Sequence, residues 1–208
     1  MSAIADPNIQ TARPGDPQVA GPTRRLWTRE SYHQAAEAGI FEPDEKLELI
    51  EGDILTLSPV GSQHSITVLR TFQFLAKAFG SGYHVNIQQP IALNDLTEPE
   101  PDVIVARGES GHYEDHHPSP EELLLVVEVS DTTLQFDRIR KAALYSANGI
   151  PEYWLVNLPQ RQIEVFRQPA SDPNYQFIEI LGEDQILSPL HAPNATIQIA
   201  ELLPGKRN

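Results

Sequence analysis

Residues 123–129 read Leu-Leu-Leu-Val-Val-Glu-Val and form the most apolar stretch of the chain. An almost unbroken apolar run of this length predicts a strand that is buried on both faces, as central strands of α/β sheets are. Its single polar residue, Glu128, lies near the carboxyl end. Because burying an isolated carboxylate is costly, Glu128 needs a partner, a bound metal or a raised pKa. A structural ion pair, or a strand end that reaches solvent, is the alternative explanation.

Periodicity predicts helices and further strands around this run. Apolar residues at three- and four-residue spacing predict a helix that begins at Ser62 or His64 and ends at Gly80. Other helices are expected from Thr28 to Gly39 and from about residue 136 to 148. A hairpin is expected over 47–55, and strands over 83–91, 103–106, 152–157, 162–166, 175–181 and 195–199. The fold class is therefore α/β, and residues 123–157 are expected to form a parallel strand–helix–strand crossover.

The length of 208 residues suits one domain with a sizeable core. We expect residues 1–24, which are polar and proline-bearing, to be a disordered tail, and 25–208 to be a single domain. The tail has no apolar segment of the secretory type, and no apolar run reaches the roughly 18 residues of a membrane span. The expected location is the cytoplasm. With no cysteine, the chain has neither disulfides nor thiolate ligands.

The charge of the chain restricts its partners. It has 15 Lys plus Arg and 29 Asp plus Glu, a formal net charge of −14. Since neutralising phosphates supplies most non-specific affinity for nucleic acid, such a chain is not a general nucleic-acid binder. Contact with DNA or RNA would need a local basic strip or bound cations.

Asp102 is the first candidate partner of Glu128. It precedes the apolar residues 103–105, at the start of a predicted strand. If that strand runs antiparallel to 123–129, Asp102 lies beside Glu128. Two close carboxylates repel each other unless a cation lies between them, and oxygen ligands suit Mg²⁺ or Mn²⁺. Pro101-Asp102 is also a common start of a turn, so the dipeptide alone does not decide.

Lys141 is the next candidate. Asp137, Lys141 and Tyr145 recur every four residues and share one face of the third helix, opposite Ile139 and Ala142. From these residues alone, a solvent-exposed Asp137–Lys141 pair is the favoured interpretation. A lysine that reaches over the edge of the sheet is the alternative.

Several histidines have two interpretations each. His112, His116 and His117 lie in the polar segment 111–120. Their spacing matches no defined zinc motif, so a mobile surface loop is favoured over a zinc site. His64, near the predicted start of the second helix, is either a cap or surface residue or an active-site contact.

These motifs occur in an order that is typical of a known family. They are Leu47–Ile54, Ser58-Pro59, His64, Pro101–Val103, Val127–Ser130, Asp137 with Lys141 and Tyr145, and Gly149–Trp154. In this order they make residues 25–185 resemble the Uma family of restriction-endonuclease-like proteins, within the PD-(D/E)XK nuclease superfamily. The resemblance implies a restriction-endonuclease-like core, a mixed β-sheet flanked by helices, with an N-terminal helix and hairpin.

The resemblance also implies roles for single residues. Asp102 and Glu128 are implied as metal ligands, with the Val129 carbonyl as a further ligand. Glu48 is implied as an additional contact to the metal or to its ligands. The superfamily places a lysine two residues after the glutamate, where this chain has Ser130. The resemblance maps the lysine onto Lys141.

The expected activity is a Mg²⁺- or Mn²⁺-dependent endonuclease that hydrolyses DNA, with Asp102, Glu128 and Lys141 as catalytic residues. A homodimer is compatible with this activity, because two-fold symmetry suits the cleavage of both strands. Two alternatives stay open. One is a catalytically inactive binding or regulatory protein on the same fold, favoured by the net charge and by Ser130. The other is an enzyme that acts on structured RNA or a small nucleotide.

Overall fold

The computed structural model describes residues 23–42, 44–170 and 174–206. The expected tail, residues 1–24, lies outside these ranges apart from its last two residues. Across the described ranges, no helix combines the length and apolar character that crossing a membrane requires.

The N-terminal elements are a helix, a hairpin and a second helix. Helix α1 (Arg29–Glu37) begins with a capping box in which Thr28 and Ser31 bond each other's main chain. Strands β1 (Leu47–Ile50) and β2 (Asp53–Thr56) form the predicted antiparallel hairpin. Helix α2 (Ser62–Phe79) has the predicted bounds and is followed by Gly80.

The turn between β1 and β2 requires main-chain conformations with positive φ. Glu51 and Gly52 both have positive φ, 52° and 81°, as a two-residue turn of this class demands. A Cβ atom at Gly52 would also lie 2.6 Å from the Cβ of Leu26. Glycine at this position therefore fixes the hairpin that carries Glu48.

A six-stranded mixed sheet forms the centre of the fold. Its strands are β3 (Tyr83–Ile87), β4 (Val103–Arg107), β5 (Leu123–Ser130), β6 (Glu152–Asn157), β7 (Gln162–Pro169) and β8 (Tyr175–Gly182), adjacent in that order. All neighbours are antiparallel except β5 and β6, which are parallel. Every residue of β5 is buried. The central strand and the parallel crossover expected from the sequence are both confirmed.

The crossover is a continuous helical segment of three parts. These are α3 (Leu134–Phe136), a π-helical stretch (Asp137–Lys141) and α4 (Ala142–Ala147). The sequence predicts a helix here but not its π-helical stretch, which adds a residue to one turn and is often found at functional sites.

Two apolar layers cover the two faces of the sheet. Val127 and Val129 of β5 pack with Val68 and Leu75 of α2. Val126, on the opposite face, lies in the layer that contains residues of α4. Because side chains alternate along a strand, Glu128 shares the face of Val126 and points towards the crossover helix.

Two predicted strands end differently in the structure. β3 stops at Ile87, short of the predicted residue 91, because Gln88 adopts a φ of 49° that does not continue a strand. Residues 195–199 give only the short strand β10 (Ile197–Gln198), which pairs with β9 (Ile186–Leu187) and leads into helix α5 (Ile199–Leu202).

Candidate functional site

A pocket of about 190 Å³ opens where β5 ends and β4 begins. Its walls also come from the segment after β2, the start of α2 and the crossover helix. Six of the lining residues are acidic and two are lysines: Glu48, Glu100, Asp102, Glu128, Asp131 and Asp137, with Lys46 and Lys141. Acidic groups thus outnumber lysines, which makes the pocket attractive to cations.

The register of the β4–β5 ladder places Asp102 opposite Glu128. Val103 pairs with Val127 in the antiparallel ladder, and the next step towards the pocket aligns the two acidic residues. Both are buried, with 7% and 5% of their surfaces exposed. The strands run antiparallel, as the sequence argument for a shared site required.

Asp102 is held by hydrogen-bonding groups from three parts of the chain. The main-chain N–H of Val129 donates to its Oδ2 at 2.8 Å. His64 Nε2 lies 3.0 Å from the same oxygen, and Gln88 Nε2 donates to Oδ1 at 3.4 Å. His64 is buried, and within the described chain its Nδ1 has no hydrogen-bond partner. Of the two interpretations of His64, the active-site contact agrees with its position beside Asp102.

Glu128 accepts two hydrogen bonds from the crossover helix. Lys141 Nζ and the Tyr145 hydroxyl donate to its Oε1 at 2.9 Å and 2.6 Å. Burial raises the pKa of Glu128 to about 8; Lys141 opposes the rise, and Asp137 and Asp102 add to it. Burial also raises the pKa of Tyr145, so its hydroxyl stays a donor.

Lys141 bridges Glu128 and Glu48. Its Nζ donates to Glu48 Oε1 at 3.0 Å, and the same oxygen accepts the main-chain N–H of Glu100 at 2.9 Å. Burial alone would lower the pKa of Lys141, but Glu128 and Glu48 raise it above its ordinary value. Only 5% of Lys141 is exposed. The interpretation of Lys141 as half of a solvent-exposed pair is therefore wrong.

Asp137 has a different partner from the one that its spacing suggested. Its Oδ2 accepts hydrogen bonds from Ser130 Oγ at 2.5 Å and Thr133 Oγ1 at 2.6 Å. The face with Asp137, Lys141 and Tyr145 is the buried one, whereas Ile139 is 65% exposed. Ser130, two residues after Glu128, thus anchors the crossover helix to the end of β5.

The carboxylates of Asp102 and Glu128 are suited to a hard divalent cation. Their ligand atoms are oxygens, which Mg²⁺ and Mn²⁺ prefer. Glu48 Oε2 is buried, and no atom of the described chain satisfies it, which is the kind of acceptor that a bound cation or its water completes. The Val129 N–H points to Asp102, and the N–H and C=O of a strand residue face the same edge, so its carbonyl faces that edge too.

The spacing of the carboxylates limits which of them bind directly. Among the described residues, the oxygens of Asp102, Glu128 and Glu48 do not all lie within 4.8 Å of one another. Mg²⁺ typically takes one or two protein carboxylates and keeps several waters. The arrangement therefore suits an ion on Asp102 and Glu128, with Glu48 as the partner of Lys141.

The histidine-rich segment lies away from this pocket. It connects the far ends of β4 and β5, where His112 and His116 converge on Glu122. Burial would raise the pKa of Glu122, but hydrogen bonds from Ser119 and the two histidines hold it at about 2. Residues 110–113 form a 3₁₀ turn.

Sequence reasoning missed two contacts of the pocket. Tyr145 donates to Glu128, and the signal for this contact in the sequence is the four-residue spacing that sets Tyr145 on the face of Lys141. Gln88 reaches Asp102 from a main-chain conformation with positive φ, which no pattern in the sequence indicates.

Comparison with known proteins gives a family and a fold. The family model Uma2, "Putative restriction endonuclease", matches residues 29–200, more than half of the chain. A solved structure titled as a putative nuclease belonging to DUF820, from Anabaena variabilis ATCC 29413, is similar with a TM-score of 0.65 and 16% sequence identity. The match covers 84% of this chain and 96% of that one. No curated protein gives a significant match.

Proposed function

Since the chain belongs to the Uma2 family of "Putative restriction endonuclease" proteins, we propose that it hydrolyses phosphodiester bonds of DNA with Mg²⁺ or Mn²⁺. The observation that carries this proposal is the ladder register that lays Asp102 opposite Glu128, with Lys141 bonded to Glu128. These three residues are the proposed catalytic group. The restriction-endonuclease-like fold expected from the sequence agrees with the structure and with its solved neighbour.

Asp102 and Glu128 would hold the ion, with the Val129 carbonyl as a third protein ligand. A bound divalent ion lowers the pKa of its water and offsets negative charge on the phosphate. His64 and the Val129 N–H fix the orientation of Asp102, and Tyr145 fixes that of Glu128. A held geometry matters because small displacements of reacting groups slow catalysis strongly.

Lys141 would act mainly through its charge. Its pKa is raised by Glu128 and Glu48 against the effect of burial, so its amine stays protonated at neutral pH. A charged ammonium stabilises the negative charge that develops on a phosphate in the transition state. A protonated lysine can orient water and stabilise charge, but it cannot remove a proton from water.

The charge of the chain weakens any binding of DNA that relies on protein cations alone. Arg138 donates to Glu164 and Arg140 donates to Glu51, so both arginines beside Lys141 are paired with carboxylates. The bound metal would then supply much of the positive charge that faces the phosphate. We expect a shallower salt dependence of binding than that of a basic DNA-binding protein.

A non-catalytic binding or regulatory protein is the second candidate. The observation in its favour is that Lys141 is engaged by two carboxylates, in a chain with a net charge of −14. Such a protein would keep the fold without cleaving a substrate.

A plasmid-nicking assay separates the two candidates. The full chain is incubated with supercoiled plasmid in Mg²⁺ or Mn²⁺, beside Asp102→Asn and a matched control, Asp184→Asn, at an exposed position. Nicking by the parent and the control, but not by Asp102→Asn, would support the nuclease and its site. Nicking by all three would point to a contaminant, and nicking by none would favour the binding protein.

The assembly is tested separately. We propose a homodimer for cleavage of both strands, since two-fold symmetry would bring together two copies of the Asp102 pocket. Light scattering during size-exclusion chromatography measures the mass directly, and a mass of 23.2 kDa, that of one chain, would contradict the dimer.

A further inference from the structure

A second cluster of ligand-type side chains lies in the segment between β4 and β5. His112, His116 and Glu122 place one ligand atom each within 4.8 Å of the others, and in the described part of the chain no other set of three does so. Two of the three are exposed, so an ion in solution has access to them. The proposed catalytic mechanism uses none of them.

The distances in this cluster agree with tetrahedral coordination. His112 Nε2 lies 3.1 Å from Glu122 Oε1, and His116 Nε2 lies 3.5 Å from the same oxygen. Zn²⁺ binds imidazole nitrogen and carboxylate oxygen at about 2.0–2.1 Å, so ligand atoms in a tetrahedron are about 3.3–3.4 Å apart. These two separations bracket this value, and the ligand nitrogens of the two histidines lie within 4.8 Å of each other.

The carboxylate is oriented by the main chain. Ser119 donates its N–H and its hydroxyl to Glu122 Oε2, each at 2.8 Å. This leaves Oε1 directed at the two imidazoles. Outer hydrogen bonds that fix a ligating carboxylate in this way are usual at metal sites.

The histidine rings are also held in place. The His112 ring lies edge-on to those of Tyr113 and His116, with centroids 5.1 Å and 5.3 Å away. The main-chain N–H of His112 donates to Glu109 within the 3₁₀ turn. Glu122, next to the start of β5, supplies the third ligand-type atom that the spacing of the histidines alone does not indicate.

We propose that His112, His116 and Glu122 bind a divalent transition-metal ion of the Zn²⁺ class. Imidazole nitrogens favour Zn²⁺ over Mg²⁺, which needs oxygen ligands. The ion joins His112 and His116 to Glu122, next to the start of β5, and one coordination position is left for water. The five residues of β4 span about 17 Å at the usual rise, so this site is separate from the Asp102 pocket.

Zinc titration against a chromophoric chelator tests the proposal. The full chain carries Asp102→Asn, which weakens the other site, and it is freed of metal with EDTA. We expect one equivalent of Zn²⁺ per chain. Substituting His112→Gln or His116→Gln weakens binding about 100-fold or more, since a ligand is lost. The neighbouring His117→Gln is the matched control and keeps the parent affinity.

Two further measurements test the zinc site if a variant folds poorly. Co²⁺ in place of Zn²⁺ gives the parent an intense visible absorption typical of tetrahedral sites, and zinc raises the melting temperature of the parent but not of His116→Gln. A parent that binds no Zn²⁺, or equal loss in His117→Gln, would overturn the proposal. Neither outcome bears on the plasmid assay, because the Asp102 pocket does not include these residues.

Discussion

Two buried glutamates on adjacent strands have opposite surroundings. Glu152 of β6 is fully buried, and its Oε1 accepts bonds from Trp154 Nε1 at 2.9 Å and Arg167 Nε at 2.8 Å. Its Oε2 accepts the main-chain N–H of Leu190 at 2.7 Å. Glu128 of β5 shares one lysine with Glu48.

The difference lies in whether charge and hydrogen bonds are balanced. Glu152 has a guanidinium of its own and donors on both oxygens, so the protein itself completes it. The cluster of Glu128, Glu48 and Lys141 has two carboxylates for one ammonium group. Glu48 Oε2 is without a partner in the described chain. A buried carboxylate whose partners are all present needs no ligand, whereas an unbalanced cluster is a candidate binding site.

The largest effect is expected when the unbalanced cluster loses a proposed ligand. Substituting Asp102→Ala should abolish Mn²⁺ binding in this pocket and lower cleavage at least about 10³-fold, because charge stabilisation at the phosphate is lost. The chain should stay folded, since the substitution relieves repulsion between carboxylates. Calorimetric titration and circular dichroism measure the two outcomes. Unchanged titration heats would remove the site from this pocket.

The balanced cluster should respond in the opposite way. Substituting Glu152→Gln leaves Arg167 without its buried partner and should lower the free energy of unfolding by about 3 kcal/mol. Cleavage by the folded fraction should not change. Denaturant unfolding followed by fluorescence measures the loss. A stable variant with impaired cleavage would mean that Glu152, like the Glu128 cluster, serves the activity rather than the fold.

Removing the lysine that Glu128 and Glu48 share separates metal binding from catalysis. Substituting Lys141→Ala should keep Mn²⁺ affinity but slow cleavage about 10²-fold, since the ammonium acts on charge at the phosphate. Parallel calorimetry and nicking assays make the comparison. Full activity in this variant would assign Lys141 a structural role only.

The smallest effect concerns pH. The pKa of Glu128 is about 8 in the folded protein and near 4.5 when unfolded, so between these values only the folded state holds the proton. Metal-free protein should therefore lose stability as pH rises through this range, by about 1 kcal/mol per unit. The variant Glu128→Gln should lack this slope in melting experiments from pH 5 to 8. An identical slope in both proteins would contradict the shifted pKa.

Much of the fold could be predicted because strong local patterns agreed with it. The apolar run of β5, the spacing in α2 and the turn at Gly52 each indicated an element that the structure contains. The π-helical stretch at 137–141 was missed, because it depends on packing of the crossover helix rather than on residue type.

The site was predictable in part. Asp102 and Glu128 were placed together by assuming an antiparallel ladder, which the structure contains. The burial of Lys141 was not predictable from spacing, since a charged helical face looks the same whether it meets water or other charges. The partners of Glu152 are not indicated by the sequence, because Arg167 and Leu190 come from other parts of the chain.

The ladder between β4 and β5 shifts register between Val105 and Ala106. On the side of the pocket the pairing is regular, from Val103–Val127 to Val105–Leu125. Such an irregularity absorbs an extra residue locally. An extra residue at that end of the ladder therefore leaves the alignment of Asp102 with Glu128 unchanged.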